Sequence, residues 1–354
     1  MEDFGDSSER IKSEVISELK KNGISDMIPS SLSGLKDLKI LVVGDTIIDE
    51  YAYCETLGRA KKEPILVFKY DYSENFAGGI LAIANHVSEF SNNVTLLTSV
   101  GNDILVDEMI SKNLNKNISK KIFKDSIYPT LIKKRYVYSY RANKVFEVYN
   151  KDPEKLIISE DEVINYLEKN LSLFDMVIVG DFGHGMITDK IKETLCRKSK
   201  YLAINVQTNS SNLGFNLVTK FNKADYISLT YEELQLAMQD RKSDLKDLIK
   251  KLSLQTKCKK ICITLGKKGI LYFDNWTFNY MPIFSDKVVD TIGAGDAVFS
   301  LTSLLACRNA DPMLIPFLGN CVGALAVQIM GNKEPVKSEK LQMFIEELFK
   351  VNLP

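Results

Sequence analysis

Residues 288–300, VVDTIGAGDAVFS, constrain this chain more than any other segment. An apolar strand end leads through Asp290 and Thr291 into Gly293, Ala294, Gly295 and Asp296, and then into an apolar helical run through Phe299 and Leu304. Glycines between a strand and a helix let the backbone approach a ligand. The first helical turn then presents N–H groups without intrahelical partners at the positive end of the helix dipole. An anion fits such a turn. Asp296, in that first turn, is stabilised there and lies beside the anion site. A carboxylate so placed can take the proton from a hydroxyl that attacks a phosphoryl group, while the amides of residues 293–296 stabilise the transferring charge. A bare GxGD would also serve close helix packing, with Asp296 as a helix-start residue.

The context is an alternation of strands and helices. LKILVVGD, from Leu38, is a β-branched run that reads as a buried parallel strand, and similar runs recur at 94–100, 176–181, 202–206, 226–229 and 260–264. Helix-like segments at 79–90, 161–170, 189–198, 231–238 and 242–252 lie between most of them. This order predicts an α/β fold with a parallel sheet covered on both faces. Two stretches, 51–72 and 129–149, break the alternation; the second reads as a hairpin around Arg141-Ala142-Asn143. A small sheet outside the main one would hang over the carboxyl edge of the strands, where open α/β sheets bind ligands, and act as a lid. Residues 1–36 read as a helical extension or linker. Ile11, Val15, Ile16 and Leu19 fall at helical spacing, Asp6, Ser7 or Ser8 can cap the start, and Gly23, Pro29 and Gly34 break the pattern.

Composition excludes several classes. With 46 Lys+Arg against 46 Asp+Glu, the chain has no broad field for nucleic acid or an anionic membrane. Its apolar stretches, such as 40–44 and 176–180, fall far short of the roughly 20 residues of a spanning helix. The acidic N-terminus lacks the basic and apolar regions of a secretory signal. Six scattered cysteines without a CxxC pair read as reduced thiols of a cytoplasmic protein, and with two histidines a zinc site is disfavoured.

The whole DTxGAGDxF segment, Phe299 included, resembles the second signature of the ribokinase/PfkB carbohydrate kinase superfamily, which decides between the two readings of Asp296. The resemblance runs from Leu38 to about Val336 and implies a ribokinase-like three-layer sandwich over residues 37–350 with a small β lid. The opening LVVGDTIIDEYAYC…GRAKKEPILVFK…AGG is most similar to the kinase half of bacterial D-glycero-β-D-manno-heptose-7-phosphate kinases of the ADP-heptose synthase type. The implied activity is transfer of the ATP γ-phosphate to a hydroxyl of a sugar or sugar phosphate, with a heptose-phosphate-like acceptor favoured. Asp296 would be the base and Gly293, Ala294 and Gly295 the anion hole. Asp49, Gly78 and Gly79 would hold the sugar, with Asp181 and His184, in VGDFGHGMI, as further acceptor contacts. Arg59, Lys133 and Arg135 would clamp a phosphate on the acceptor, as arginine forks suit. Thr264, Gly266 and Gly269 resemble the nucleotide loop, and Asn320 and Gly323 the helix lining the adenine pocket; Asn205 and Asp290 join them as nucleotide contacts. Mg²⁺ is implied by the chemistry, with Glu233 of Thr230-Tyr-Glu-Glu233 in place of the N-x-x-E element. Each of these motifs alone also fits a turn, a loop or close helix packing.

The sequence departs from these relatives mainly at the acceptor. Ala82 and Ile83 stand where they carry an Asn, Phe146-Glu147-Val148 replaces their Arg-x-Asp, and Asn205-Val206-Gln207 replaces Asp-Pro-Lys. These changes keep two alternatives open: a kinase for a nucleoside or another sugar, and a non-catalytic nucleotide- or sugar-binding dimerisation module. A homodimer through the lid is expected, because relatives pair their lids and exposed strand edges favour being covered. A sugar nucleotidyltransferase partner is expected from similarity to kinase modules that accompany such enzymes. A Rossmann dehydrogenase is disfavoured, since the first strand ends in GDTIID rather than G-x-G-x-x-G.

Overall fold

The computed structural model describes residues 9–125, 127–140, 143–150, 160–285 and 287–351. In chain order, α1 (Glu9–Lys21) and α2 (Ile24–Ser33) precede β1 (Lys39–Gly44), β2 (Thr46–Arg59), β3 (Leu66–Gly79) and α3 (Ile80–Ser88). Then come β4 (Asn93–Gly101), α4 (Ile104–Asn113), β5 (Ile118–Asp125), β6 (Leu131–Tyr138), β7 (Asn143–Tyr149), α5 (Glu160–Asn170) and β8 (Met176–Asp181). They are followed by α6 (Asp189–Lys198), β9 (Leu202–Val206), β10 (Tyr226–Thr230), α7 (Tyr231–Met238), α8 (Leu245–Thr256) and β11 (Lys260–Thr264). The chain closes with β12 (Ile270–Asp274), β13 (Thr277–Met281), α9 (Ala294–Cys307), α10 (Leu314–Ala326) and α11 (Ser338–Val351).

These strands form two sheets. The larger has nine strands in the order β13-β12-β11-β10-β9-β8-β1-β4-β5, parallel except for the antiparallel pairs at the β12–β13 end. Helices cover both faces, so β1 and β8 are buried along nearly their whole lengths. One buried cluster joins the sheet to α3, α9 and α10, and a second joins its opposite face to α5–α8. The α/β sandwich expected from the alternation is therefore present. β5 and the β12–β13 hairpin are additions that the sequence pattern did not mark. β5, ISKKIFKD, is an edge strand too polar to read as a buried run.

The second sheet has four strands in the order β3-β2-β6-β7. β2 begins just past the end of β1 and β3 runs directly into α3, so Asp45 and Gly79 are the junctions between lid and sandwich. The lid strands extend further towards the sandwich than 51–72 suggested, and Gly78-Gly79 is strand rather than loop, pairing with Ile47 and Thr46. Arg141 and Ala142 of the expected hairpin turn, and the capping candidates Asp6, Ser7 and Ser8, lie outside the described residues.

The first two helices pack on the sandwich. Ile16 and Leu19 of α1 and Ile24, Ile28 and Leu32 of α2 belong to the same buried cluster as Phe317 of α10 and Ile345 of α11. Lys20 Nζ also donates to the carbonyl of Phe349 at 2.7 Å. α2 continues through Pro29, which the sequence pattern treats as a break. The helix forgoes one backbone bond there, while Ile24, Ile28 and Leu32 bury a continuous stripe at four-residue spacing.

Candidate active site

At the carboxyl edge of the parallel strands, beneath the lid, lies a cavity of about 300 Å³. Its walls include Asp49 and Gly79 from the β2–β3 hairpin and Lys133 and Arg135 from β6. Asn205 and Gln207 border it at the end of β9 and just beyond, Thr230 and Glu233 at the start of α7, and Thr264 at the end of β11. Thr291, Gly293, Gly295 and Asp296 close one side.

Gly293 caps α9 with φ 82°, a left-handed conformation that a side chain resists. A Cβ there would also collide with Asn332 Oδ1. Gly293 and Gly295 border the cavity at this turn, whereas Ala294, the first helical residue, does not: its N–H donates to the carbonyl of Thr291 at 3.4 Å. Asp296 follows in that first turn and is buried. Burial pushes its carboxyl up to about 7, and Asp49 and Glu233 add to this; a hydrogen bond from Gln207 and the charge of Lys133 oppose it. A buried acid poised near neutrality beside a helix N-terminus suits proton abstraction from a hydroxyl.

The lid supplies cations. Arg135 Nη1 pairs with Asp49 Oδ1, and its Nε donates to Glu147 Oε2 at 2.6 Å. Lys133, nearly buried, lies over the Tyr149 ring at 5.2 Å. Burial lowers its pKa against the pull of Asp49 and Glu147. Asp49 also receives a long bond from Asn332 Nδ2 at 3.5 Å. Gly78 lies directly behind Asp49, where any Cβ would displace its carboxylate, so Gly78 shapes the site without lining it.

Several candidates occupy other positions. Arg59 ends β2 at the far, exposed tip of the lid, away from the cavity. Asp181 lies under the floor, with Oδ2 2.5 Å from Lys220 Nζ. His184, equally buried, faces a small void beside Asp45, Ser99 and Thr130. Asp290 is enclosed: it accepts from Tyr51 Oη at 2.9 Å, Lys144 Nζ at 2.5 Å and the N–H groups of Ile292 and Gly331. That set of donors makes it a brace between lid and anion turn. Gly266 and Gly269 form a short turn behind Thr264, where a Cβ on Gly269 would strike the carbonyl of Met281. Asn320 donates to the same carbonyl at 2.9 Å, and Gly323 lets α10 close on Val298 of α9. Of the expected nucleotide group, Thr264 and Asn205 alone border the cavity.

Glu233 borders it too, but its carboxylate is committed. In a reciprocal cap of α7 it accepts from the N–H of Thr230 at 2.8 Å, Thr230 Oγ1 accepts from the N–H of Glu233 at 3.2 Å, and its second oxygen accepts from the N–H of Thr208 at 3.2 Å. Among the described residues no cluster of three metal-ligating side chains exists. The donor set thus fits an ion carried mainly by phosphate oxygens and water, as Mg²⁺ usually is, better than a protein cage.

Four contributors escaped the sequence reading. Asp45 accepts from the N–H groups of Phe182, His184 and Met186 at 3.1, 3.3 and 2.9 Å, tying the lid junction to the loop after β8. From distant positions Lys144 reaches Asp290, ahead of the anion turn, and Asn332 reaches the cavity wall. Gln207, noticed as a substitution, was not given a role, yet its Nε2 donates to Asp296 Oδ1 at 2.6 Å.

A mostly parallel sandwich with a β lid, and an acid at a glycine-rich helix start beneath it, define a small-molecule phosphotransferase of the carbohydrate kinase class. The pfkB family of carbohydrate kinases matches residues 37–339, and the chain belongs to that family. It is 26% identical over 315 residues to the bifunctional protein HldE of Helicobacter hepaticus, covering 87% of this chain and 64% of that protein. HldE of Koribacter versatilis is 24% identical over 329 residues, covering 90% and 65%. The chain thus spans less than two thirds of the length of these relatives. Among solved structures, Escherichia coli phosphofructokinase-2 in complex with substrates and products superposes with a TM-score of 0.67 at 13% identity, covering 88% of this chain and 99% of that one. Thermotoga maritima ribokinase gives 0.65 at 19% identity, covering 87% and 99%. Arabidopsis thaliana ribokinase, complexed with ribose and ATP, gives 0.65 at 15% identity, covering 88% and 99%. These three similarities confirm the fold.

Proposed function

We propose that this kinase transfers the γ-phosphoryl group of ATP to a hydroxyl of a phosphorylated sugar, with a heptose phosphate as the favoured acceptor. The observation that carries the proposal is the position of Asp296: a buried acid near neutrality, at the anion turn, across the cavity from Lys133 and Arg135. Asp49 orients the acceptor. Asp296 accepts the hydroxyl proton as the oxygen bonds to the γ-phosphorus and the bond to the bridging oxygen breaks, leaving ADP. The N–H groups of Gly293 and Gly295 stabilise the charge on the transferring group. A bound Mg²⁺, held mainly by phosphate oxygens and water, would supply neutralisation of the phosphate charge. Lys133 and Arg135 face the acceptor side and favour one bearing an anion.

Two partner readings accompany this one. The lid exposes Leu57, Leu66, Tyr70, Tyr72, Phe146 and Val148, an apolar set that a second copy would cover in a homodimer. A nucleotidyltransferase partner rests on the similarity to bifunctional relatives; sedimentation with and without a candidate enzyme tests both.

The functional test is ADP release with ATP and Mg²⁺ across hexoses, heptoses, nucleosides and sugar phosphates, for wild type and Asp296→Asn. Turnover on one sugar phosphate that disappears in the variant supports the proposal. Turnover on a nucleoside or an unphosphorylated sugar moves the acceptor, and ATP binding without turnover favours the non-catalytic module.

A further inference from the structure

Gln207 lies on the cavity wall between Asn205 and Asp296. We propose that it is a positioning residue for the base, holding Asp296 Oδ1 so that Oδ2 is presented to the acceptor. This rests on the reading of Asp296 as the base.

The bonds that hold it start from a main-chain carbonyl. Ser228 O can only accept, and it receives Nδ2 of Asn205 at 2.8 Å. The Asn205 amide is thereby oriented with Oδ1 outward, where it accepts from Gln207 Nε2 at 2.9 Å. The second hydrogen on that nitrogen goes to Asp296 Oδ1 at 2.6 Å. Turning the Gln207 amide over would set its oxygen against two acceptors, so each orientation in the chain is forced. The backbone of Gln207 is equally fixed: its N–H donates to Asp181 O at 2.9 Å, and its carbonyl accepts from Asn216 Nδ2 at 3.1 Å.

Because both amide hydrogens are spent, Gln207 acts on the reaction through Asp296 rather than by gripping ligand with that nitrogen. The charged groups facing Asp296 are few. Asp49 from β2 and Glu233 from α7 disfavour its ionised form, and Lys133 from β6 favours it. Arg135, also on the cavity wall, is paired with Asp49 and Glu147. Gln207 is the uncharged donor of the set, and its bond is the leading influence opposing burial.

The test is a graded series, Gln207→Met and Gln207→Lys, read by the pH profile of kcat/KM and by the titration of Asp296 in protein carrying ¹³C-labelled aspartate. Asp296→Asn identifies the signal. Losing the bond in the Met variant should move the acid limb and the NMR midpoint up by roughly one to two pH units. An ammonium in the Lys variant should move both down. In the Met variant kcat falls while KM for ATP stays near wild type. Folded variants, checked by circular dichroism, whose midpoints all coincide with wild type overturn the proposal. The NMR series does not depend on turnover, so ordered midpoints without phosphorylation of any sugar would uphold the contact and reject the base assignment instead.

Discussion

Lys144 Nζ, on the last lid strand, lies 2.5 Å from Asp290 Oδ1, just ahead of the anion turn. Lid position and turn geometry are therefore mechanically joined. Burial pushes the Asp290 carboxyl up, but Lys144 and the N–H groups of Ile292 and Gly331 outweigh it and hold the pKa below the usual range. Asp290→Asn would turn an amide NH₂ towards these donors and should cost about 2–3 kcal/mol in urea unfolding. Lys144→Met removes one partner and should cost only about 1 kcal/mol. Equal losses from the two variants would contradict the brace.

Asp296 yields a pH prediction. A base must be ionised to act, and its pKa is near 7, so kcat/KM should fall about tenfold per unit as pH drops below about 7 and level off above it. Asp296→Asn should reduce kcat by roughly 10²–10⁴ without lowering the thermal transition, since the amide removes a buried charge. An acid limb near pH 4 would mean that the group titrating is not this carboxyl.

The two left-handed glycines at the site should differ in tolerance. Gly79 has φ 56° and ψ −131°, and a Cβ there would sit 2.6 Å from the Asp45 carbonyl, a backbone atom that cannot swing away. At Gly293 the obstacle is the end of the Asn332 side chain, which can rotate. Gly79→Ala should therefore cost about 3 kcal/mol or more, and Gly293→Ala about 1–2 kcal/mol with a larger loss of activity than of stability. Chemical denaturation alongside ADP release separates the two.

His86, fully buried, accepts from the N–H of Val336 at 3.3 Å, and burial with help from Lys337 pushes its pKa down to about 4. The unfolded histidine, near 6.5, binds its proton first as pH falls. His86 therefore contributes its stability fully above pH 6.5 and loses it between about 6.5 and 4, by a total on the order of 3 kcal/mol. Asp45 and Asp181, with carboxyls raised by burial, act in the opposite sense, so the difference between wild type and His86→Gln isolates the effect. Parallel stability curves for the two proteins would show that His86 does not titrate in this window.

Much of the site was readable in advance because its parts are local. Gly293, Gly295 and Asp296 fall within one strand–turn–helix passage, and Lys133 and Arg135 lie on a run that reads as a hairpin strand, whereas Asp49 is marked by the family resemblance alone. The residues that escaped notice act across long separations: Lys144 braces Asp290, 146 positions away, and Gln207 holds Asp296, 89 positions away. Conversely, Asn320 and Gly323 read as a nucleotide wall, yet small residues on a helix look the same whether they border a ligand or another helix. The contacts of Gly323 with Val298 and of Asn320 with Met281 give them packing and bracing roles.

The linear order of residues was sufficient for the α/β alternation, the hairpin over 129–149 and the glycine turn with its acid, because each depends on periodicity or on backbone freedom within a few neighbours. Folding settled which polar side chains meet. Asp290 and Glu233 both look free to bind ligands in the sequence, but each accepts from a donor near in the chain, Ile292 or Thr230, and from others brought by folding, among them Tyr51, Lys144 and Thr208. A buried polar atom must find a partner, and which partner it finds depends on how the strands and helices pack.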